Sequence, residues 1–300
     1  MKFNTHNLTL EGPDLSGKTT VYNLLHKKTG FSRNIQDRSC LSMLCYAILY
    51  ERDISKWRKN LARELSNLNN RIVILLPDFV TLINRYHRRG DEIQDVNSLE
   101  DLYNIFSIEA KKIAELPTVM LLERAEKPDI MCEKILIWLE FLEELNPSGV
   151  GHVVKHFVEN SEKDEYILDV EYESSYDDDN SILSDEKEGA YYNTILHDFK
   201  NKIMNEFEGI NPYNLPQSYD SRRFYYNSDS CISSLHLLPR DYKVDLVATL
   251  RSTDVTRNAT IDFEFLDFLL SRLTKSYFKS YDVGTLRVRF NSAHIRRDLD

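Results

Sequence analysis

No apolar run in this 300-residue sequence approaches the ~20 residues that a membrane-spanning helix needs. The N-terminus lacks a signal-peptide core. Cysteine is scarce: Cys40, Cys45, Cys132 and Cys231 form no C-x-x-C pair and have no histidine at ligand spacing. That argues against a zinc site or a disulfide scaffold and fits a reducing compartment. Positive charge is also lacking. A formal net charge of −10 speaks against a general nucleic-acid binder, although it leaves room for a local basic pocket that takes a nucleotide. There is no internal repeat. The chain is expected to be a soluble cytoplasmic protein, in the host cytoplasm if its source is a virus, with no membrane partner and no nucleic-acid partner.

What is present is concentrated near the start. Gly12-Pro13-Asp14-Leu15-Ser16-Gly17-Lys18-Thr19, followed by Thr20, fits the pattern G-x-x-x-x-G-K-[ST]. The two glycines let the backbone turn so that successive N–H groups converge on one point. Together with the dipole of the helix that follows, they cradle phosphate oxygens. Lys18 reaches the outer phosphates and Thr19 offers a hydroxyl to Mg²⁺. The β-prone run Asn7–Leu10 precedes the pattern, and Val21, Leu24 and Leu25 follow it at helical spacing. ATP and Mg²⁺ are the ligands this stretch implies.

Helices are expected to about Lys28, over Leu41–Tyr50, Ile54–Leu68, Phe79–Tyr86, Leu99–Leu116 and Ile130–Leu145. Arg71–Leu76 reads as a buried strand running into Pro77-Asp78, and Thr118–Leu122 as another. Such alternation predicts a parallel sheet with helices on both faces and a ligand at the carboxyl ends of the strands.

These residues resemble a known family. Leu10 to Thr20 is similar to the opening of a thymidylate kinase, with Asp14 where that family carries an acid that touches the acceptor sugar. Asp37-Arg38-Ser39, with Ser42 and Tyr46, resembles the family's Asp-Arg-Tyr…Ser…Ala-Tyr segment, with Ser39 in place of Tyr. Pro77-Asp78, then Arg88-Arg89-Gly90-Asp91, resembles its Pro-Asp strand end and Arg-bearing lid. The resemblance covers residues 6–145 and implies phosphoryl transfer to a deoxynucleoside monophosphate. Lys18, Arg88 and Arg89 would stabilise charge on the transferring group. Asp37 would join Thr19 at Mg²⁺, and Asp14 and Arg38 would hold the acceptor. The stretch that carries the family's acceptor-phosphate Arg is missing. Plainer roles stay open: a solvated helix end for Arg88 and Arg89, a helix cap with a surface ion pair for Asp37 and Arg38, and loop stiffening for Asp14.

Asn146-Pro147-Ser148-Gly149 reads as a turn and a domain edge. The acidic run from Glu159 to Glu188 reads as linker, with a short strand at Ile167–Val170 and no EF-hand spacing. The expected layout is residues 1–148 as a P-loop kinase-like domain, 149–188 as acidic linker and 189–300 as an α+β domain. In the last, helices are expected over Ala190–Phe207 and Phe263–Leu273, and strands over Arg223–Tyr226, Val244–Leu250 and Leu286–Phe290.

Four pieces of this second part resemble thymidylate synthase and its relative deoxycytidylate hydroxymethylase: Ser221-Arg222-Arg223, Cys231, Arg251-Ser252-Thr253-Asp254, and Ser292-Ala293-His294. The resemblance implies a thiolate nucleophile at Cys231 that adds to C6 of a pyrimidine. It implies a phosphate clamp of Arg222, Arg223 and Arg251 beside Ser252. Asp254 and His294 would orient base and sugar, and Asp262 would tilt preference toward cytosine. It implies a homodimer through this domain, since two clamp arginines come from the partner subunit in that family, and it raises methylenetetrahydrofolate as a cofactor. Ile232 follows Cys231 where the family has His, and Arg296 replaces a final Tyr. An inactive remnant, with Cys231 as an ordinary buried thiol, is the alternative.

The chain is therefore expected to serve deoxynucleotide metabolism, as suits a phage remaking its nucleotide pool. The alternatives are a nucleotide sensor without turnover and a kinase of hydroxymethylated bases in DNA.

Overall fold

A computed structural model describes residues 2–3, 7–89, 95–161, 165–174, 186–207 and 224–295. The chain divides into two compact units, Thr5–Leu142 and Met1–Asn4 with Glu143–Asp300. Its elements in chain order are β1 (Lys2–Phe3), β2 (Asn7–Glu11), α1 (Lys18–Lys28), β3 (Asn34–Asp37), α2 (Cys40–Leu49), α3 (Ser55–Leu65), β4 (Asn70–Leu75), α4 (Phe79–Arg89), α5 (Val96–Ile113), β5 (Val119–Leu122), α6 (Pro128–Glu143), α7 (Pro147–Glu159), β6 (Glu165–Glu173), α8 (Glu186–Glu206), β7 (Tyr225–Asn227), β8 (Ile232–Arg240), β9 (Lys243–Leu250), β10 (Thr253–Asp254), α9 (Ala259–Tyr277) and β11 (Asp282–His294). No helix among the described residues is long and apolar enough to cross a membrane.

The first unit is a parallel four-stranded sheet in the order β3-β2-β4-β5, with α/β alternation. Its strand β4 reads as a continuous apolar run because both faces are covered. Leu8, Leu10, Val73 and Leu75 meet Val21 and Leu25 of α1 and Met131, Cys132, Ile135 and Leu139 of α6. Thr9, Ile72 and Ile74 alternate with them and are also buried. Glu11 shares the Thr9 face and there meets α2. The strand β3 lies in a segment to which the sequence assigned no element; the single buried residue Ile35 in four leaves no periodic signal.

The second unit has a mixed seven-stranded sheet. Its order is β1-β6-β11-β9-β8-β7, with β10 beside β11. β9 and β11 are parallel, and the neighbours β6 and β8 run antiparallel to them. Leu286, Val288 and Phe290 alternate into the core with Leu246, Ala248 and Leu250, beneath buried Phe263, Leu266 and Leu270 of α9. On the opposite side of the sheet Arg287 pairs with Glu171 at 2.9 Å and Arg289 with Asp169 at 3.8 Å.

Two expectations about the join are corrected. Asn146-Pro147 does not make a turn: the Asn146 carboxamide accepts from the Gly149 amide at 2.7 Å and caps α7, with Pro147 at the first helical position, where its missing N–H costs nothing. The cap and Pro signals of a turn and of a helix start are the same residues. A Cβ on Gly151 would lie 2.5 Å from the Thr260 Cα, so α7 and α9 touch through backbone, and the glycine marks packing rather than a linker. The expected linker also supplies β6, nine residues long and paired with β11 and β1; its acids alternate with buried Leu168, Val170 and Tyr172. The Asp-rich stretch 175–185 lies outside the described residues. So do Arg222, Arg223 and Arg296.

Candidate nucleotide-binding cleft

The phosphate-loop pattern sits where β2 ends and α1 begins. Gly12 has φ 138° and Gly17 has φ 101°, and Leu15 between them is also left-handed at φ 65°. A Cβ on Gly12 would stand 2.2 Å from the Leu75 carbonyl oxygen, so only glycine lets the loop pass the end of β4. Gly17 is the N-cap of α1. The helix has no side-chain cap and no acid in its first turn, which leaves its amide end free for an anion.

Cations hold the outward carbonyls of the loop. Lys18 Nζ donates to Gly12 O at 2.7 Å and Pro13 O at 2.8 Å, with Ser16 Oγ at 3.4 Å. Arg85 Nη1 donates to Leu15 O at 2.7 Å. Lys18 is buried, and that burial, with the nearby Arg38, lowers its pKa to about 8.

The loop opens on a cleft of about 930 Å³ lined by Asp14, Lys18, Thr19, Asp37, Arg38, Tyr46, Tyr50, Arg85, Arg88 and Arg89, among others. It lies at the carboxyl ends of β2, β3 and β4, as expected of a parallel sheet. Parallel register puts Leu10 beside Asp37, so the end of β3 stands next to the loop. Arg38 adopts φ 73° and donates its amide to Leu10 O at 3.0 Å. Its guanidinium pairs with Asp14 and lies 5.5 Å from the centre of the Tyr46 ring. The Tyr46 hydroxyl donates to the other Asp14 oxygen at 2.6 Å, and burial, then that bond, hold the phenol protonated. Asp14 therefore faces α2 rather than lying loose in the loop.

Thr19 and Asp37 are exposed on this cleft. A hydroxyl and a carboxylate are hard oxygen donors of the kind Mg²⁺ takes alongside phosphate oxygens, so these residues fit the ion. No cluster of three or more His, Cys, Asp or Glu suited to a metal occurs among the described residues. Arg88 and Arg89 line the cleft from the exposed last turn of α4. Asp78 caps that helix through the Thr81 amide at 2.8 Å.

Arg85, Glu11 and Tyr50 were not singled out by sequence. The first could have been, since 85, 88 and 89 share one helical face. Glu11 looks like any strand residue until α2 is seen against it.

In the second unit Cys231, Arg251, Asp254 and His294 lie at one end of the sheet. The Arg251 amide donates to Cys231 O at 2.8 Å, where β8 begins and β9 ends. Asp254 pairs in register with His294 across β10 and β11. The His294 Nδ1 lies 3.4 Å from Ser292 Oγ. Cys231 is exposed, so it is not the ordinary buried thiol. Arg251 is exposed beside Ser252. Asp254 accepts from the Thr256 amide and hydroxyl at 3.1 and 2.6 Å and shapes the turn into α9. Asp262 departs from its expected place facing a base: it is 3% exposed and takes bonds from Tyr192 at 2.9 Å and Thr253 at 3.4 Å. It lies in the first turn of α9, which tucks it inward. The hydroxyls of Tyr191, Ser228 and Ser230 are linked beside Cys231, with 3.0 Å from Tyr191 to Ser230 and 2.6 Å between the serines.

No protein-family profile and no curated protein matches the chain. Among solved structures, it is similar to the YorR protein from Bacillus subtilis, determined in complex with phosphorylated GDP: 19% identity and a TM-score of 0.38, over 45% of this chain and 95% of that one. It is also similar to thymidylate synthase from T4 phage, at 18% identity and a TM-score of 0.24, over 26% of this chain and 31% of that one. It thus spans about a third of the synthase's length. At such identities and scores neither likeness carries an argument about activity.

Proposed function

We propose that the Thr5–Leu142 unit binds ATP with Mg²⁺ and transfers a phosphoryl group to a deoxynucleoside monophosphate, with a pyrimidine as the first candidate base. One observation supports this above the rest: an amide nest and an uncapped helix end open on the same cleft as Lys18 and four arginines, Arg38, Arg85, Arg88 and Arg89. Phosphoryl transfer is mostly positioning and charge neutralisation. Bound Mg²⁺ would supply charge neutralisation at the phosphates, and Thr19 and Asp37 are the groups that would hold it. Lys18 would exchange its loop carbonyls for phosphate oxygens. Arg88 and Arg89 would neutralise charge on the transferring group, while Arg38, Asp14 and Tyr46 would face the acceptor.

For the second unit the reading is a thymidylate synthase-like or hydroxymethylase-like nucleotide-binding fold, dimeric, with Cys231 as nucleophile if it turns over. A second reading, a sensor without turnover, is favoured by the closed Asp14–Arg38–Tyr46 contact, which occupies the acceptor side with the chain's own groups.

The test is incubation with ATP, Mg²⁺ and each deoxynucleoside monophosphate, reading ADP and diphosphate formation. Tight ATP binding with no product from any acceptor would favour the sensor; product only with hydroxymethylated DNA would favour a base kinase. Release of the C5 proton from labelled dUMP or dCMP, lost in Cys231→Ser, tests the second unit, and its dependence on methylenetetrahydrofolate tests folate use.

A further inference from the structure

Glu11 is fully buried, where a carboxylate is seldom found without partners. It has four donors. Oε1 accepts from the Ser39 amide and hydroxyl, each at 2.7 Å, and from the Ser42 amide at 3.2 Å; Oε2 accepts from the Ser42 hydroxyl. Ser39 stands at the N-cap of α2, from which a serine hydroxyl ordinarily bonds an amide of its own first turn. Here it makes no such cap. Its hydroxyl and amide turn to Glu11 instead, so α2 is capped by carboxylates from other elements, Glu11 at Ser39 and Ser42 and Glu64 at the Cys40 amide at 3.2 Å, and the positive end of the helix faces these anions. Burial raises the Glu11 pKa even so, against the lowering effect of the serine hydrogen bonds.

The two ends of this bridge matter. Glu11 is covalently joined to Gly12, whose carbonyl receives Lys18. Ser39 is covalently joined to Arg38, and Tyr46 lies one turn beyond Ser42 on the same helix. Arg38 and Tyr46 both reach Asp14. Glu11 itself is not among the residues that line the cleft.

We infer that Glu11 is a positioning residue: through Ser39 and Ser42 it sets Arg38 and Tyr46, the acceptor wall of the cleft, against the phosphate wall from Gly12 to Thr19. The naming of the walls rests on the kinase reading; the bridge itself does not. Glu11→Ala removes all four acceptor contacts. Glu11→Gln keeps a carbonyl oxygen for Ser39, and the Ser42 hydroxyl can rotate to accept from the amide, so it restores much of what alanine loses.

Two measurements on the full chain test this. In amide hydrogen exchange, Glu11→Ala speeds the Ser39 and Ser42 amides, which donate to it, by about tenfold or more, as loss of a charged hydrogen-bond acceptor implies, while residues 21–28 of α1 change less than about twofold. In kinetics, Glu11→Ala raises KM for the monophosphate that the wild type turns over by about tenfold, with the ATP Kd within about twofold, and Glu11→Gln recovers most of the loss. Unchanged exchange at the Ser39 and Ser42 amides overturns the inference, and so does equal weakening of ATP and acceptor, which is the mark of a residue that only holds the fold. If alanine does not fold, Glu11→Gln decides: a partial rise in exchange at the Ser39 and Ser42 amides supports the bridge and none overturns it. If the wild type phosphorylates nothing, the kinase reading fails by itself, and the exchange result still decides whether Glu11 positions α2.

Discussion

Replacing Gly12 by Ala should unfold the first unit far more readily than the same change at Gly30, and the size of the gap follows from geometry. At Gly12 the added Cβ would sit 2.2 Å from Leu75 O, and φ is 138°. The obstructing atom is backbone in β4, a strand paired on both sides, so it cannot rotate away. Dihedral strain contributes about 1–3 kcal/mol and the steric clash about another 1–3. At Gly30 φ is 59° and no atom lies within 4 Å of the added Cβ, so only the left-handed strain of about 1–2 kcal/mol applies. Both variants share the loss of unfolded-state freedom, which cancels in the comparison. Trp57 and Trp138 are the chain's two tryptophans and both lie in Thr5–Leu142, so tryptophan fluorescence in urea reports this unit alone. With a slope of about 2 kcal/mol per molar urea, Gly12→Ala lowers the midpoint by about 1–3 M and Gly30→Ala by about 0.5–1 M. Gly12→Ala should also abolish ATP binding measured by calorimetry. A midpoint shift no larger than that of Gly30→Ala, with ATP affinity intact, would refute the close passage of the loop against β4.

Four further outcomes are expected. Lys18→Ala weakens ATP about 10–100-fold by equilibrium binding, the value of a charge-assisted contact. Because the Lys18 pKa is lowered to about 8, its ammonium is lost as pH rises through that value; ATP affinity then falls, while the burial penalty on the charged form fades and the unit gains stability toward pH 10. Binding at pH 8 should accordingly take up about half a proton, read from calorimetry in buffers of different ionisation enthalpy. Arg85→Met weakens ATP about tenfold, through a freed Leu15 carbonyl, and more than Arg88→Met or Arg89→Met does; equal effects from all three would deny Arg85 its place on the loop. In the second unit, burial pushes the Asp267 carboxyl up to about 6. A raised acid pKa means stability present at low pH and lost as pH rises through about 6, by about 3 kcal/mol at most, and Asp267→Asn should flatten that dependence in hydrogen exchange of α9.

The parts of the fold that could be read from residues alone were those made of consecutive positions. The phosphate loop is one backbone turn, so Gly12, Gly17, Lys18 and Thr19 declare themselves by spacing. The strand β4 is a single apolar run because both its faces are covered. Helices α1, α2, α5, α6, α8 and α9 carry an apolar stripe and fell within a few residues of their expected spans. β8 escaped, since Leu237, Leu238 and Pro239 are buried in succession and its alternation is lost.

What only the tertiary structure decided were relations between residues distant in the chain. The charges of β6 looked like those of a solvated linker until Arg287 and Arg289 stood opposite them in register. Arg85, seventy residues from Leu15, became part of the loop only when α4 folded onto it. Glu11 acquired its partners from a helix that begins 29 residues later. Sequence by itself therefore determined the chemistry of the phosphate nest, because that chemistry is local backbone geometry. The structure decided which side chains surround the nest, because those distances are set by how the sheet orders its strands and not by spacing along the chain.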